Sequence, residues 1–233
     1  MKQRPSPLRS AATLLAWTLS LAGLFAAPAA AEPAGDALTE GVVEFAIRYE
    51  DVGPMAAMLP KSEKVSFRPG AVRVESGQNV SLDGVLPGKR VQLLTAGGAL
   101  KLAFVMPAPE PAGRSELVRF ESADERRSIA GVEARRVDGV DREDDSNRLA
   151  YWVSDRLDAR WFPVPGLEGF PLDYLQPIQD GFAHRVAERV EAKALDASLF
   201  AIPEGYEQIE IASPREISRV LKERLGGQVQ VVE

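Results

Sequence analysis

The 233-residue chain has no cysteine and a single histidine, His184. Without cysteine there is no disulfide, no thiol nucleophile and no cysteine-ligated zinc. The lipidated cysteine that anchors bacterial lipoproteins is excluded as well. A serine–histidine–aspartate site would have to use His184, and no G-x-S-x-G elbow is present. There is no G-x-G-x-x-G and no P-loop. Positive charge is scarce: 28 Lys+Arg stand against 34 Asp+Glu, a net charge of −6. A balance of that sign, with no basic cluster, argues against nucleic acid and anionic lipid headgroups as partners. Beyond residue 31 no apolar run approaches the ~20 residues that a membrane-spanning helix needs.

The N-terminus reads as an export signal. Met1 to Ser10 carries Lys2, Arg4 and Arg9 and no acid, and Ala11 to Ala27 is an uncharged apolar run. Small residues at Ala29 and Ala31 fit the A-x-A cleavage rule. Cleavage before Glu32 leaves about 200 residues, the size of one domain. It also makes the net charge of −6 more negative by three. The expected organisation is a signal peptide over 1–31, a flexible tether over 32–40 and a single domain over 41–233. The expected product is exported and periplasmic, soluble, not lipidated and without a stable membrane anchor.

Most of the domain shows a period of two. Val43, Phe45, Ile47 and Tyr49 alternate with Glu44, Arg48 and Glu50, the mark of a half-buried antiparallel strand. Lys64 to Arg68 and Ala71 to Ser76 flank Pro69-Gly70 as a hairpin. Gln78 to Asp83, Arg90 to Thr95 and Leu100 to Met106 follow as strands, separated by Pro87-Gly88 and Gly97-Gly98. Ser115 to Ser122, Arg127 to Asp138 and Leu149 to Ser154 continue the series. In Gly181 to Ala194 the alternation places Phe182, His184, Val186, Val190 and Ala192 on the buried face and Arg185 on the other. Ser213-Pro214-Arg215-Glu216 starts a helix, with Ser at the N-cap, Pro at N1 and Glu at N3. It is expected over Pro214 to about Leu225.

The aromatic stretch from Ala150 to Tyr174 is the most unusual segment. It holds Trp152, Trp161, Phe162, Phe170 and two tyrosines, and from Phe162 to Pro171 it is broken by proline and glycine. A loop this apolar has to cover apolar surface. Two readings are open: a cap on its own core, or a lid (Trp161 to Leu172) over a ligand cavity. Strand parity places Phe45, Ile47, Phe67, Val74 and Trp152 on the buried face. His184 and Glu188 are expected as a structural polar pair. Asp141, Glu143 and Asp145 imitate the start of a calcium loop, but Ser146 stands where glycine is required and Trp152 where glutamate is. No metal site and no cofactor are expected.

Several short segments, in one order, resemble a group of exported bacterial domains of unknown function related to the LolA and LolB lipoprotein carriers. They are GVVEFAIRY from Gly41, KVSFRPGAVRVE from Lys64, SIAGVEARRV from Ser128, AYWVSD from Ala150, GLEGFPLDY from Gly166 and LFAIPEGYEQI from Leu199. The resemblance implies a mostly β, α+β fold: a curved antiparallel half-barrel sheet, with covering loops and a C-terminal helix. In the carriers the concave apolar face holds acyl chains. None of their cargo-contacting residues carries a motif found in this chain.

Residues and resemblance together favour a non-catalytic periplasmic binding or carrier protein, for an apolar, lipid-like ligand or a hydrophobic segment of a partner. Phe45, Ile47, Phe67, Trp152, Trp161, Phe162, Phe170 and Leu172 would form the binding face. The alternative is a structural or interaction module of the cell envelope, with an envelope protein as partner and a self-filled core. A hydrolase would need His184 beside a nucleophile or an exposed carboxylate.

Overall fold

A computed structural model describes residues 37–96, 100–108, 118–157, 164, 166–178 and 181–224. Eleven strands form one antiparallel ladder. They are β1 (Gly41–Glu50), β2 (Ser62–Arg68), β3 (Ala71–Ser76), β4 (Asn79–Leu86), β5 (Lys89–Ala96), β6 (Leu100–Pro107), β7 (Val118–Ile129), β8 (Val132–Asp141), β9 (Arg148–Ser154), β10 (Phe170–Ile178) and β11 (Gly181–Ala192). A short twelfth strand, β12 (Glu207–Glu210), adds to β6 in parallel. The order is β12-β6-β5-β4-β3-β2-β1-β11-β10-β9-β8-β7. Two runs of consecutive hairpins, β1 to β6 and β7 to β11, therefore meet along the β1–β11 pair.

Chain length alone requires this sheet to curl. β6 and β7 stand ten places apart in the order, about 48 Å in a flat sheet at ~4.8 Å per strand. The connection from Pro107 to Val118 can reach at most ~40 Å when fully extended. It must also climb the height of the sheet, since β6 and β7 point the same way. The sheet bends until its two ends approach. Among the described residues β7 does not pair with β12, so the result is an open, curved half-barrel.

The register separates two faces. The inner one carries Val43, Phe45, Val65, Phe67, Val72, Val74, Tyr151, Val153, Phe170, Leu172 and Tyr174 in one apolar cluster. Leu157, Leu167 and Val164, from the segment between β9 and β10, belong to the same cluster and cover it. At the other end, helix α1 (Glu216–Arg224) lies against Leu102, Phe104 and Met106 through Ile217, Val220 and Leu221. At its start the Glu216 amide donates to the Ser213 carbonyl, and the Glu216 carboxylate accepts from the Ala212 amide.

The outer face of β4 to β6 presents Leu82, Val91, Leu93, Ala103 and Val105, which Ile202 and Tyr206 cover. The chain reaches them through a 3-10 turn, Ala197–Phe200. This turn is held by Arg73 donating to the Leu199 carbonyl at 3.1 Å and by Arg68 lying 4.8 Å above the Phe200 ring. The C-terminal segment is thus a belt. It crosses the outer face, pairs as β12 at the edge, and returns onto the inner face as α1.

Several expectations need correction. Arg127 to Asp138 is not one strand: Ala130 and Gly131 take positive φ (50° and 78°) and turn β7 into β8. The loop expected to Pro171 ends earlier, because Phe170–Ile178 is a strand inside the sheet. Its prolines sit where the ladder can miss an N–H: Pro171 at a register shift against β9, Pro177 next to the final pair before the turn. In β11 the inward set is Ala183, Arg185 and Ala187, not Phe182, His184 and Val186. The rings of Phe45 and Tyr174 fill the inner face there and leave room only for small neighbours. Trp152 is opposite Asp173 and Arg136, so it points away from the face that Tyr151 and Val153 occupy. The helix runs Glu216–Arg224, and Leu225 lies outside the described residues.

Candidate functional site: a filled inner face and an outer hollow

The expected ligand-binding residues divide into three groups. Phe45, Ile47, Phe67, Phe170 and Leu172 are on the inner face and between 0% and 4% exposed. Trp152 is on the outer face. Trp161 and Phe162 lie outside the described residues. The inner group is packed ring against ring. Phe45 and Phe170 stack at 6.3 Å between centroids, and Phe45 meets Tyr174 edge-on at 6.4 Å. Tyr174 in turn stacks on Tyr151 at 6.2 Å. Such contacts add to the free energy of area burial. The cover is tied down by the Leu38 amide donating to the Arg156 carbonyl at 2.7 Å. Arg135 also donates to the Glu168 carbonyl at 3.0 Å.

One polar group interrupts this face. Glu63 on β2 has a fully buried side chain, and Arg185 on β11 reaches over β1 to within 2.6 Å of it. Both Glu63 oxygens and the Arg185 Nε and Nη1 lack in-line hydrogen-bond geometry. The contact is a close charge pair, shielded from water on the inner face. Desolvating two ions costs several kcal/mol each, which only mutual attraction offsets. Burial pushes the nearby Tyr174 hydroxyl well above its ordinary pKa and the Tyr151 hydroxyl up to about 12. The Tyr49 hydroxyl donates to the Pro60 carbonyl at 2.7 Å and closes the neighbouring end.

Among the described residues no belt crosses the outer face of β7 to β11, and there they form an open hollow of about 260 Å³. Its lining is Glu50, Arg127, Ala150, Trp152, Asp173, Leu175 and His184. Register explains the depression. Leu175 is opposite His184 and, through the Tyr174–Tyr151 pair, beside Ala150. A small residue there stands among large ones. Arg127 reaches across from β7, lies 3.9 Å above the Trp152 ring and donates to Asp173 Oδ2. His184 Nε2 shares a hydrogen bond of 2.7 Å with Asp173 Oδ1. The partner of His184 is Asp173, a cross-strand neighbour, and not Glu188. Strand parity could have found this cluster: once Tyr151 and Val153 are inward, Ala150 and Trp152 must be outward. Which carboxylate meets His184 depends on the β10 strand, which the prolines concealed.

The carboxylates of the 141–147 loop are engaged locally. Asp141 accepts from the Glu143 amide, Asp144 from Ser146 and Asp145 from Arg119. Among the described residues no three or more metal-ligating side chains converge. Likewise, no described helix is long and apolar enough to cross a membrane.

No protein-family model matches the sequence. No curated protein matches it either. Among solved structures, PNGF-II in space group P21 aligns with a TM-score of 0.48 at 12% identity, over 80% of this chain and 34% of that one. The chain thus spans about a third of the PNGF-II chain. MucB aligns with a TM-score of 0.37 at 12% identity, over 75% of this chain and 61% of its own. The LolA superfamily protein NE2245 from Nitrosomonas europaea aligns with a TM-score of 0.25 at 9% identity, over 71% and 91% respectively.

Proposed function

We propose that this protein is a non-catalytic binding module of the bacterial cell envelope, exported without a lipid anchor, that works through its outer surface. Its inner face is occupied by its own side chains. The observation that carries this reading is the burial of Phe67, Phe170 and Leu172 to 0% and of Phe45 to 2%, in direct ring contact. A face already packed this way offers an apolar ligand no surface unless its cover moves. The hollow sets His184 beside two carboxylates, Asp173 and the exposed Glu50, but its lining contains no hydroxyl or thiol, so it offers no serine-, threonine- or cysteine-type nucleophile.

A second reading, a carrier for a lipid-like molecule, is favoured by one feature. The described residues of the cover over Phe170 and Leu172, among them Leu157, Val164 and Leu167, include no helix. One experiment separates the two. The wild type and Phe170→Ala are titrated with a fatty acid and an environment-sensitive dye, and both are melted. The surface reading expects no saturable binding by the wild type and a loss of roughly 3–5 kcal/mol of stability in Phe170→Ala. Saturable fatty-acid binding, weakened in a Phe170→Ala protein that melts normally, would establish the carrier instead.

A further inference from the structure

We infer that the outer hollow is a receptor for a basic side chain, lysine or arginine, presented by a partner polypeptide. The inference rests on the reading that the protein works through its outer surface. Four charged or titratable groups line the hollow: Glu50, Asp173, Arg127 and His184. Arg127 and His184 are both committed to Asp173, one to each carboxylate oxygen. The Glu50 carboxylate is exposed and forms no ion pair or hydrogen bond among the described residues. The lining therefore presents one uncompensated carboxylate at its rim.

Beneath that rim the surface is apolar. Ala150 and Leu175 form a floor against which a methylene stem can lie while its charged head stays at the water boundary, beside Glu50. The Trp152 ring is not the acceptor, because its open face already carries the Arg127 guanidinium. About 260 Å³ accommodates one such side chain with a few waters, each taking about 30 Å³. Arg48, two residues before Glu50 and opposite His184 in the register, is the positive charge nearest the hollow along β1, and it does not line it. The net charge of −6 adds a field that draws basic partners. Within the lining an acidic segment would meet Glu50 and Asp173, the one lining arginine being committed to Asp173.

The single histidine makes the test direct. His184 lines the hollow, so its ring protons give an NMR signal that needs no assignment by elimination. The mature chain is titrated with acetyl-trilysine amide and, separately, with acetyl-triglutamate amide at low and high salt. The lysine peptide is expected to shift the His184 signal saturably, with affinity falling as salt rises, and the glutamate peptide to leave it unmoved. Glu50→Gln should weaken lysine-peptide binding about tenfold, the loss of one charge-assisted contact. Glu143→Gln, a carboxylate in the exposed 141–147 loop, should leave binding as it is. Melting curves check that both variants fold. An unmoved His184 signal with the lysine peptide, an equal response to both peptides, or undiminished binding by folded Glu50→Gln would overturn the inference. None of these outcomes bears on the dye and fatty-acid titration, so failure here is distinguishable from failure of the surface reading.

Discussion

The two halves of the sheet are clothed differently. Across β4 to β6 the outer face is apolar, with Leu82, Val91, Leu93, Ala103 and Val105, and the inner face is apolar along β6, with Leu102, Phe104 and Met106, beside the Asp83–Arg90 ion pair. The chain covers both, the first with its belt and the second with α1. Across β8 to β11 the inner face is apolar and the outer one mixed, its Ala150 and Leu175 set among polar groups. The outer one carries Arg136, Asp138, Trp152, Asp173 and His184, partly paired among themselves. It needs no cover, and none of the described chain supplies one. The difference shows that the belt answers a hydrophobic demand, whereas the open half is left available because its residue types tolerate water.

The strongest way to break this comparison is to remove the belt. A chain ending after Ala192 would expose Leu82, Val91, Leu93, Phe104 and Leu102, each worth about 1.5–3 kcal/mol when buried. The total rivals the whole stability of a typical domain, about 5–15 kcal/mol. The expected outcome is an insoluble or uncooperatively melting product. A soluble truncated chain with a sharp transition would mean that the belt is an accessory.

On the singly covered half the most sensitive polar site is the ion pair across β1. Arg185→Leu should cost about 3–5 kcal/mol in urea unfolding, because it strands the buried Glu63 carboxylate. Adding Glu63→Leu should recover that loss wholly or nearly so. A double variant as unstable as the single one would show that the pair stabilises the fold beyond its own desolvation.

Alkaline pH sharpens the same contrast more gently. Tyr151 and Tyr174 have pKa values raised by burial in the folded state. Above the ordinary tyrosine value of about 10 the unfolded chain loses protons that the folded chain keeps, so stability falls with rising pH. The loss should approach about 1.4 kcal/mol per pH unit for each tyrosine. It should run from pH ~10 towards about 12, the value to which burial pushes Tyr151. Tyr151→Phe should flatten the slope of denaturation midpoint against pH. The smallest effect is expected outside. Arg127→Ala removes a partly exposed ion pair and should change stability by less than about 1 kcal/mol, even though it uncovers the Trp152 ring.

Much of the fold was legible because alternation in β1, β2 and β3 is undisturbed: Val43 and Phe45, Val65 and Phe67, Val72 and Val74 all take the side that period two assigns. The helix start was legible from Ser213 and Glu216. What was hidden has physical causes. β11 alternates in both phases, since Phe182 and Val186 are as apolar as Ala183 and Ala187. Only the bulk of Phe45 and Tyr174 on the neighbouring strands selects the phase with small residues. Arg185 looks solvent-facing until Glu63 is brought beside it by pairing across β1, which no local pattern encodes. β10 was masked by Pro171 and Pro177, which propensity reads as loop. The hollow followed from these same omissions, for it takes one residue from β1, two each from β9 and β10, and one each from β7 and β11.

The seam between β1 and β11 has a consequence in time. Each hairpin run closes locally as it is made, but β1 must wait for β11, some 140 residues later by the spacing of Gly41 and Gly181. Local contacts form fast and distant ones slowly. A chain that emerges from its N-terminus completes β1 to β6 while one flank of its first strand stays unsatisfied, with Val42, Val43 and Phe45 along it. An open edge of this kind recruits other strands. The interval before β11 arrives is therefore when the nascent protein is most exposed to misassociation, and β1 is the strand a holding factor would have to shield.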